Sequence, residues 1–343
     1  MITNFGASID KYLSDKIADD DRDYSYLHPS DFGNCLVATW LKTKGVKPLV
    51  PFNAGKVRIF DNGHFVHLRN QIYAKESGVL AKDKVISKSK PHEITIGLEP
   101  KTKILIEGES GRQYYYSPQE IIWRVERKKT KNDLNLYLGT DPAPYWDTID
   151  NLEKGEEWWL VEVPLVDTEH HFGGHCDAII LNDGVETVVD YKGTGEYSWG
   201  YIFHDSESKY NGYRSNGPGS FNDTCFICNQ NMKQAKDLSA HLASCHLDDI
   251  VLDFKYKVQL HIYMMILGLE QSILWYENKS NQIVIDYLVK KDDELIEKIK
   301  INSGKLWNKI LSGTKPDRKP LQKRTNRPCS WCDYASQCWN WES

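Results

Sequence analysis

The sequence contains no apolar run near the roughly 18 residues that a membrane-spanning helix needs. It also lacks a phosphate-binding P-loop, because the Ser-Gly-Lys at residues 303–305 has no upstream glycine. We therefore expect neither a membrane partner nor an intrinsic nucleotide-driven motor. The first residues, MITNFGASIDKYLSDK, lack the charged-then-apolar pattern of a secretory signal, which favours a cytoplasmic protein.

An excess of positive charge is missing as well. The 43 lysines and arginines are outnumbered by 48 aspartates and glutamates, so the net charge is −5 and the chain is not a general polyanion binder. Two short basic stretches are nevertheless candidate phosphate contacts if a catalytic groove lies beside them. They are Arg124, Arg127, Lys128, Lys129 and Lys131 in the first stretch, and Lys315, Arg318, Lys319, Lys323, Arg324 and Arg327 in the second.

No internal repeat divides the 343 residues, and a hydrophobic content of 40% suits a globular core. Residues 56–77 predict an amphipathic helix, and residues 80–165 are rich in strand patterns. Residues 203–224 are polar and turn-rich, which indicates a loop or linker. Two further helices are predicted at 254–270, where the pattern is that of a largely buried helix, and near 292–311.

Residues 173–193, GGHCDAIILNDGVETVVDYKG, predict a β-hairpin whose apolar runs are interrupted by charged residues. A turn at Asp183-Gly184 would place Asp177 directly opposite Asp190, and a turn one residue earlier would place them diagonally on the same face. Because side chains alternate along a strand, Lys192 shares the face of Asp190 in either register. The opposite face, suited to a core, is expected to carry Cys176, Ala178, Val189 and Tyr191.

The charged face of this hairpin has a chemical use. Two neighbouring carboxylates repel each other, and a divalent cation such as Mg²⁺ or Mn²⁺, which prefers oxygen ligands, removes that cost. An ammonium group beside the cation can hold a water molecule or stabilise a developing oxyanion. Asp177, Asp190 and Lys192 therefore form a candidate site for metal-assisted phosphodiester hydrolysis. A solvated hairpin face with a surface ion pair is the alternative.

Six of the eight cysteines fall into two groups spaced as metal ligands are, Cys35 and Cys176 stand alone, and a reducing compartment disfavours disulfides. A zinc-finger pattern, C-x2-C-x12-H-x3-C, is formed by Cys225, Cys228, His241 and Cys245. His246 is the alternative fourth ligand. A second group, C-x2-C-x5-C, consists of Cys329, Cys332 and Cys338.

Five short motifs follow one another in order along the chain. They are G-x3-H at Gly63 and His67, a strand glutamate at Glu162, G-H-x-D ending at Asp177, D-x-K at Asp190 and Lys192, and Q-x3-Y at Gln259 and Tyr263. This order resembles the RecB-like branch of the PD-(D/E)XK nuclease superfamily. The S-x4-C that ends at Cys35, paired with the terminal P-C-x2-C-x5-C, is similar to the iron–sulfur exonucleases of the Cas-four and AddB type. The resemblance covers roughly residues 28–343.

The resemblance implies an α/β fold: a nuclease core with a mixed central sheet flanked by helices, a small zinc-finger insertion, and an iron–sulfur clip that joins the N- and C-terminal segments. The implied domains are residues 1–55 as a helical segment with the first cluster cysteine, 56–202 and 250–312 as the nuclease core, 203–249 as linker and zinc-finger insertion, and 313–343 as a basic tail with the remaining cluster cysteines.

The resemblance also assigns roles to residues. Asp177, Asp190 and His67 would ligate Mg²⁺ or Mn²⁺, and Lys192 would position or activate the attacking water. The remaining assignments are Glu162 as an acidic helper, and Gln259 and Tyr263 as residues that line the cleft and contact DNA. The family's third motif often carries Glu where this chain has Asp190, a change that retains carboxylate oxygen and bears on metal preference.

The implied function is that of a metal-dependent DNA exonuclease acting on single strands or DNA ends, in recombination, repair or phage DNA processing. The setting would be the cytoplasm of a bacterial or phage-infected cell, where a helicase or recombination partner would supply unwinding. Two alternatives are a catalytically silent DNA-binding or adaptor module and a structure-specific endonuclease.

In the family, four cysteines at the positions of Cys35, Cys329, Cys332 and Cys338 hold a 4Fe–4S cluster, although four thiolates could equally hold zinc. If these cysteines hold a 4Fe–4S cluster, anaerobically purified protein should be brown and should contain iron alongside the zinc of the finger. Replacing Cys329 by Ala should lower solubility and stability more than it changes the chemistry. Elemental analysis and a visible spectrum measure this, and colourless protein with zinc but no iron would contradict it.

Overall fold

The fold is described from a computed structural model that covers the chain in separate stretches. These are residues 5–16, 25–32, 35–48, 54–89, 92–96, 99–116, 154–155, 157–195, 253–280, 282–316, 329 and 332–340. The predicted zinc ligands and the loop at 203–224 lie outside them, as do all residues of the two basic stretches except Lys315. No helix in the described stretches is long and apolar enough to cross a membrane.

The described residues form seven helices. They are α1 (Phe5–Lys16), α2 (Pro29–Phe32), α3 (Leu36–Thr43), α4 (Ala54–Glu76), α5 (Phe254–Leu267), α6 (Asp293–Ser312) and α7 (Ala335–Asn340). The helices predicted at 56–77, 254–270 and 292–311 are thereby confirmed. Helix α5 begins where the Asp253 side chain accepts a hydrogen bond from the Lys255 N–H, and it ends at Gly268 in the left-handed conformation.

The same residues form ten strands. They are β1 (Lys82–Lys88), β2 (His92–Ile96), β3 (Glu99–Gly108), β4 (Gln113–Tyr116), β5 (Glu157–Trp159), β6 (Val161–Asp167), β7 (Phe172–Asn182), β8 (Val185–Thr194), β9 (Gln271–Asn278) and β10 (Val284–Lys290). The central sheet has the order β10-β9-β8-β7-β6, with β8 and β9 parallel and the other pairs antiparallel. The predicted mixed sheet is confirmed. A second sheet has the order β2-β3-β1-β5, with β4 on β3.

The β7–β8 hairpin turns at Asp183-Gly184, and both residues have positive φ, as a tight two-residue turn requires. Asn182 pairs with Val185 and Ala178 with Val189, and this pairing ends one residue before Asp177 and Asp190. Of the two registers that the sequence allowed, the structure has the one with the turn at Asp183-Gly184, in which Asp177 and Asp190 each follow the last regular pair.

Helices cover both faces of the central sheet. On one face Val188 and Cys176 pack with Leu260, Tyr263 and Met264 of α5. On the other face Ala178, Val189 and Tyr191 pack with Ala74 of α4. The prediction that Cys176 shares a face with these three residues is wrong, because the regular alternation of β7 is interrupted at Asp177, whose carboxylate accepts the backbone N–H of Tyr191.

Helix α4 is less amphipathic than its sequence suggests. Val66 and Ala74 are buried, but Ile59, Phe60 and Phe65 in its first half are exposed. The apolar residues of this half therefore do not all face the core of the described residues, which corrects the prediction for that part of the helix.

A separate core joins the two ends of the chain. It unites residues of α2, α3, α5, α6 and α7, among them Phe32, Trp40, Ile262, Trp307 and Cys338. The Trp40 indole N–H donates to the carbonyl of Lys309 at 3.3 Å. The imidazole of His171 stacks on Trp307 with ring centroids 4.5 Å apart.

This core makes Trp307 important for stability. Because its buried side chain leaves a large cavity when truncated, Trp307→Ala should lower the free energy of unfolding by about 3–5 kcal/mol. The exposed Ile301 on the same helix offers a matched control, and Ile301→Ala should change it by less than about 0.5 kcal/mol. Urea unfolding followed by circular dichroism measures both, and equal effects would show that α6 does not pack as described.

Candidate active site

Three potential metal ligands converge at one edge of the hairpin. His67 on α4, Glu162 on β6 and Asp177 on β7 each offer one ligand atom, and these atoms lie within 4.8 Å of one another. The Nδ1 atom of His67 is 3.4 Å from Oδ2 of Asp177. Glu162 has a left-handed backbone with φ of 44°, which is uncommon for a residue other than glycine and is a form of strain found at functional sites.

Asp190 and Lys192 stand beside this group on β8. The Nζ atom of Lys192 is 2.7 Å from Oδ2 of Asp190. The contact is an ion pair without the alignment of a hydrogen bond, so Oδ2 is a buried oxygen with no hydrogen-bond donor among the described residues. The other oxygen, Oδ1, accepts a hydrogen bond from Gln259 Nε2 at 3.0 Å. Asp190 is only 1% exposed.

Gln259 and Tyr263 lie on one face of α5, as their spacing predicts. The Gln259 amide donates to the Tyr263 hydroxyl at 2.6 Å as well as to Asp190. Both side chains are buried, at 4% and 3% exposure, which leaves little surface for a DNA strand. Their position favours a role in holding Asp190, and DNA contact by these residues stays a prediction.

The two hairpin carboxylates, Asp177 and Asp190, differ in electrostatic state. Burial raises the pKa of Asp190 to about 6, since the charge of Lys192 offsets only part of the desolvation cost and Asp177 adds repulsion. Burial alone would also raise the pKa of Asp177, but the charge and hydrogen bond of His67, together with Lys192, bring it below its ordinary value. Asp177 is therefore the firmly ionised member of the pair.

The pKa values of Glu162, His67 and Lys192 are shifted by burial and by the same neighbouring charges. Burial and the neighbouring Asp177 raise the pKa of Glu162. Burial would lower the pKa values of His67 and Lys192, but the carboxylates around them raise both. The lysine is therefore an ammonium, and His67 would have to give up any ring proton before a ring nitrogen could bind a metal. Three carboxyl groups thus share the site with one ammonium and one imidazole, so acidic groups outnumber cationic ones.

Sequence reasoning missed Gln71. Its side chain is 1% exposed, and Nε2 donates to Glu162 Oε1 at 2.9 Å and to the carbonyl of Asp177 at 2.6 Å. Gln71 follows His67 by four residues on α4, so helical spacing could have placed it on the same face. Next to Gln71 on the helix, Arg69 and Asn70 bind the buried carboxylate of Glu277 at the end of β9. This contact joins residues far apart in the sequence, so no local pattern predicts it.

The donor set fits a small divalent cation. Carboxylate oxygens and an imidazole nitrogen suit Mg²⁺ or Mn²⁺, and the excess of acidic groups favours a cation. His67 and Asp177, two of the three predicted ligands, belong to the converging group, together with Glu162 rather than Asp190. Asp190 couples electrostatically to Asp177, and its role as a ligand stays a prediction.

The four cysteines of the predicted clip are brought to one place. Cys35 immediately precedes α3, Cys338 lies in α7, and both pack in the core that joins the chain ends. Burial raises the pKa of the Cys332 thiol, and the nearby sulfurs of Cys35, Cys329 and Cys338 raise it further. No three of the four sulfurs lie within 4.8 Å of one another, so a metal centre shared by these cysteines stays a prediction.

No protein-family model matches the sequence, and no curated protein matches it. Among solved structures, that of SSO0001 is similar with a TM-score of 0.38 and 13% identity over 97% of this chain and 95% of that one. LHK-Exo in complex with dAMP has a TM-score of 0.26 and 13% identity over 45% of this chain and 57% of that one. A phage-related exonuclease from Haemophilus somnus 129PT has a TM-score of 0.26 and 13% identity over 60% of this chain and 86% of that one. Two of the three are exonucleases, but at these TM-scores the likeness decides neither the fold nor the activity of this chain.

The hydrogen bonds of Gln71 predict a role in metal affinity. Gln71→Ala removes the donor that orients Glu162, so the affinity for Mn²⁺ should fall about 10- to 100-fold, the range typical for residues that orient metal ligands. Asn62→Ala, at an exposed position of the same helix, is the control and should bind as the wild type does. Calorimetric Mn²⁺ titration measures both, and unchanged affinity in Gln71→Ala would contradict this role of Gln71.

Proposed function

We propose that the chain is a metal-dependent deoxyribonuclease that hydrolyses phosphodiester bonds, acting as an exonuclease on single-stranded DNA or DNA ends. The observation that carries the proposal is the convergence of His67, Glu162 and Asp177 beside the Asp190–Lys192 ion pair. The order of the motifs along the chain supports it independently. A solvated hairpin face does not account for carboxylates that are buried and held by hydrogen bonds from neighbouring elements.

The excess of acidic groups explains why a cation is required. DNA is a polyanion, so its phosphate would be repelled by carboxylates that the single ammonium of Lys192 does not balance. A divalent cation held by His67, Glu162 and Asp177 would reverse the sign of the local charge and polarise the scissile phosphate. Burial strengthens these interactions, because the site is less screened than a surface would be.

The protein's own side chains would then act on the phosphate and on water. Lys192 is an ammonium, so it donates hydrogen bonds, orients the attacking water and stabilises negative charge that develops on a phosphate oxygen. Asp190 holds that ammonium at 2.7 Å, and Gln259 fixes Asp190 from α5. Gln71 does the same for Glu162 from α4. Each helix therefore locks one side of the site.

The proposal extends to the remaining parts of the chain. The electrostatic effect of Cys35, Cys329 and Cys338 on Cys332 supports a 4Fe–4S clip between the chain ends. The cysteine and histidine spacing supports a zinc finger inserted at 203–249. With no P-loop in the sequence, a helicase or recombination partner would supply unwinding in recombination, repair or phage DNA processing.

The two residues of the D-x-K motif should fail in different ways. Asp190→Ala removes the carboxylate predicted as a further metal ligand, together with the partner of Lys192, so metal affinity and turnover should both collapse. Lys192→Ala removes a positive charge from the site, so metal binding should persist or strengthen while cleavage falls by ~10²-fold or more. Lys298→Ala, on the exposed surface of α6, is the control and should cleave at the wild-type rate.

Cleavage of end-labelled single-stranded DNA in Mg²⁺ or Mn²⁺, with calorimetric metal titration and DNA binding in Ca²⁺, separates these outcomes. DNA affinity should change only modestly in either variant, because other contacts hold the strand. A circular single strand identifies an endonuclease, since it offers no end. Wild-type cleavage by Lys192→Ala would remove the centre of the proposal, and intact metal-binding protein without cleavage would favour a DNA-binding module.

A further inference from the structure

The ammonium of Lys192 has a second neighbour besides Asp190. Its Nζ atom lies 5.2 Å from the centroid of the Tyr256 ring, near enough for a cation–π interaction. The Lys192 side chain is 19% exposed, so it is partly withdrawn from water, where such contacts are strongest. One charged carboxylate and one aromatic face therefore flank the group to which we assign the phosphate chemistry.

The Tyr256 ring is itself fixed. It packs against the cluster between α5 and the central sheet, and it meets the Tyr276 ring edge to face, with centroids 6.2 Å apart and planes at 68°. Tyr276 is buried and pairs in register with Lys192 across the parallel strands β8 and β9. Tyr276, the cross-strand neighbour of Lys192, therefore also helps to fix the Tyr256 ring that contacts Lys192.

Lysine needs this support because its side chain is long and rotatable. The ion pair with Asp190 fixes the distance of Nζ from one carboxylate but leaves other rotamers of the lysine stem accessible. An aromatic wall on the other side removes part of that freedom. Preorganised donors cost less to align in the transition state than donors that must first be ordered.

We propose that Tyr256 is a positioning residue for Lys192, holding its ammonium through the face of the ring. The inference rests on the proposed nuclease function. It differs from a packing role because the effect of the ring on turnover would pass through Lys192, and because the aromatic face makes the contact. Removal of the ring should therefore slow turnover without weakening DNA binding.

A second ammonium provides a control. Lys255 Nζ lies 4.6 Å from the same ring centroid and 3.2 Å from the Asp253 carboxylate, so Lys255 contacts Tyr256 without being part of the D-x-K motif. Lys255→Ala removes a cation from the ring and leaves Lys192 in place. Under saturating DNA it should turn over within about twofold of the wild type.

Three substitutions at Tyr256 test the inference with single-stranded DNA and Mg²⁺. Tyr256→Leu should lower kcat about 10- to 30-fold with little change in KM, the fold-change expected for a desolvated cation–π contact. Tyr256→Phe keeps the face and should retain kcat within about threefold. Tyr256→Met, flexible and also non-aromatic, replaces the Leu variant if that protein does not fold. Wild-type kcat in a folded non-aromatic variant would overturn the inference.

A double-mutant cycle excludes a general structural effect. If Tyr256 acts through Lys192, then adding Tyr256→Leu, or Tyr256→Met, to Lys192→Ala should lower the residual rate no further. Independent, multiplying effects would overturn the inference while leaving the nuclease intact. Failure of the proposed function looks different, because Lys192→Ala alone would then match the wild type, or the wild type would not cleave at all.

Discussion

The carboxylate of Asp190 is buried in the middle of the central sheet, and most of the site follows from the cost of placing it there. A buried charge without partners is expensive, so each of its oxygens needs a compensating neighbour. Lys192 stands 2.7 Å from one oxygen and Gln259 donates to the other. The remaining cost shows in the raised pKa of Asp190. A cation beside the cluster would relieve the repulsion between Asp190 and Asp177 that burial makes strong.

Because the partners come from both faces of the sheet, the fold and the site depend on one another. Helix α5 supplies Gln259 from one side, and α4 supplies His67 and Gln71 from the other. Asp177 lies where the regular pairing of β7 with β8 stops, since its carboxylate takes the Tyr191 N–H that would otherwise enter the ladder. That interruption lets one side chain meet His67 while its neighbours fill a core.

Much of this could be predicted from local patterns. The hairpin, the three long helices and the residues of the candidate site follow from periodicity, turn chemistry and motif order. The role of Gln71 and the positive φ of Glu162 were not predicted, because they depend on which strand a helix packs against. No local sequence rule gives that packing. The misplaced Cys176 has a similar origin, since strict alternation holds only in a strand without a break. Ile59 and Phe60 escaped because an apolar stripe does not tell whether the fold covers it.

The central claim is that His67, Glu162 and Asp177 together bind a divalent cation beside Lys192. Anomalous scattering from crystals soaked with Mn²⁺ tests it most directly, because the peak locates the metal without reference to activity. We expect one strong peak within bonding distance of Asp177 and of the His67 imidazole, and no peak there in crystals of Asp177→Ala. A wild-type map with no peak at these residues under saturating Mn²⁺ would contradict the account.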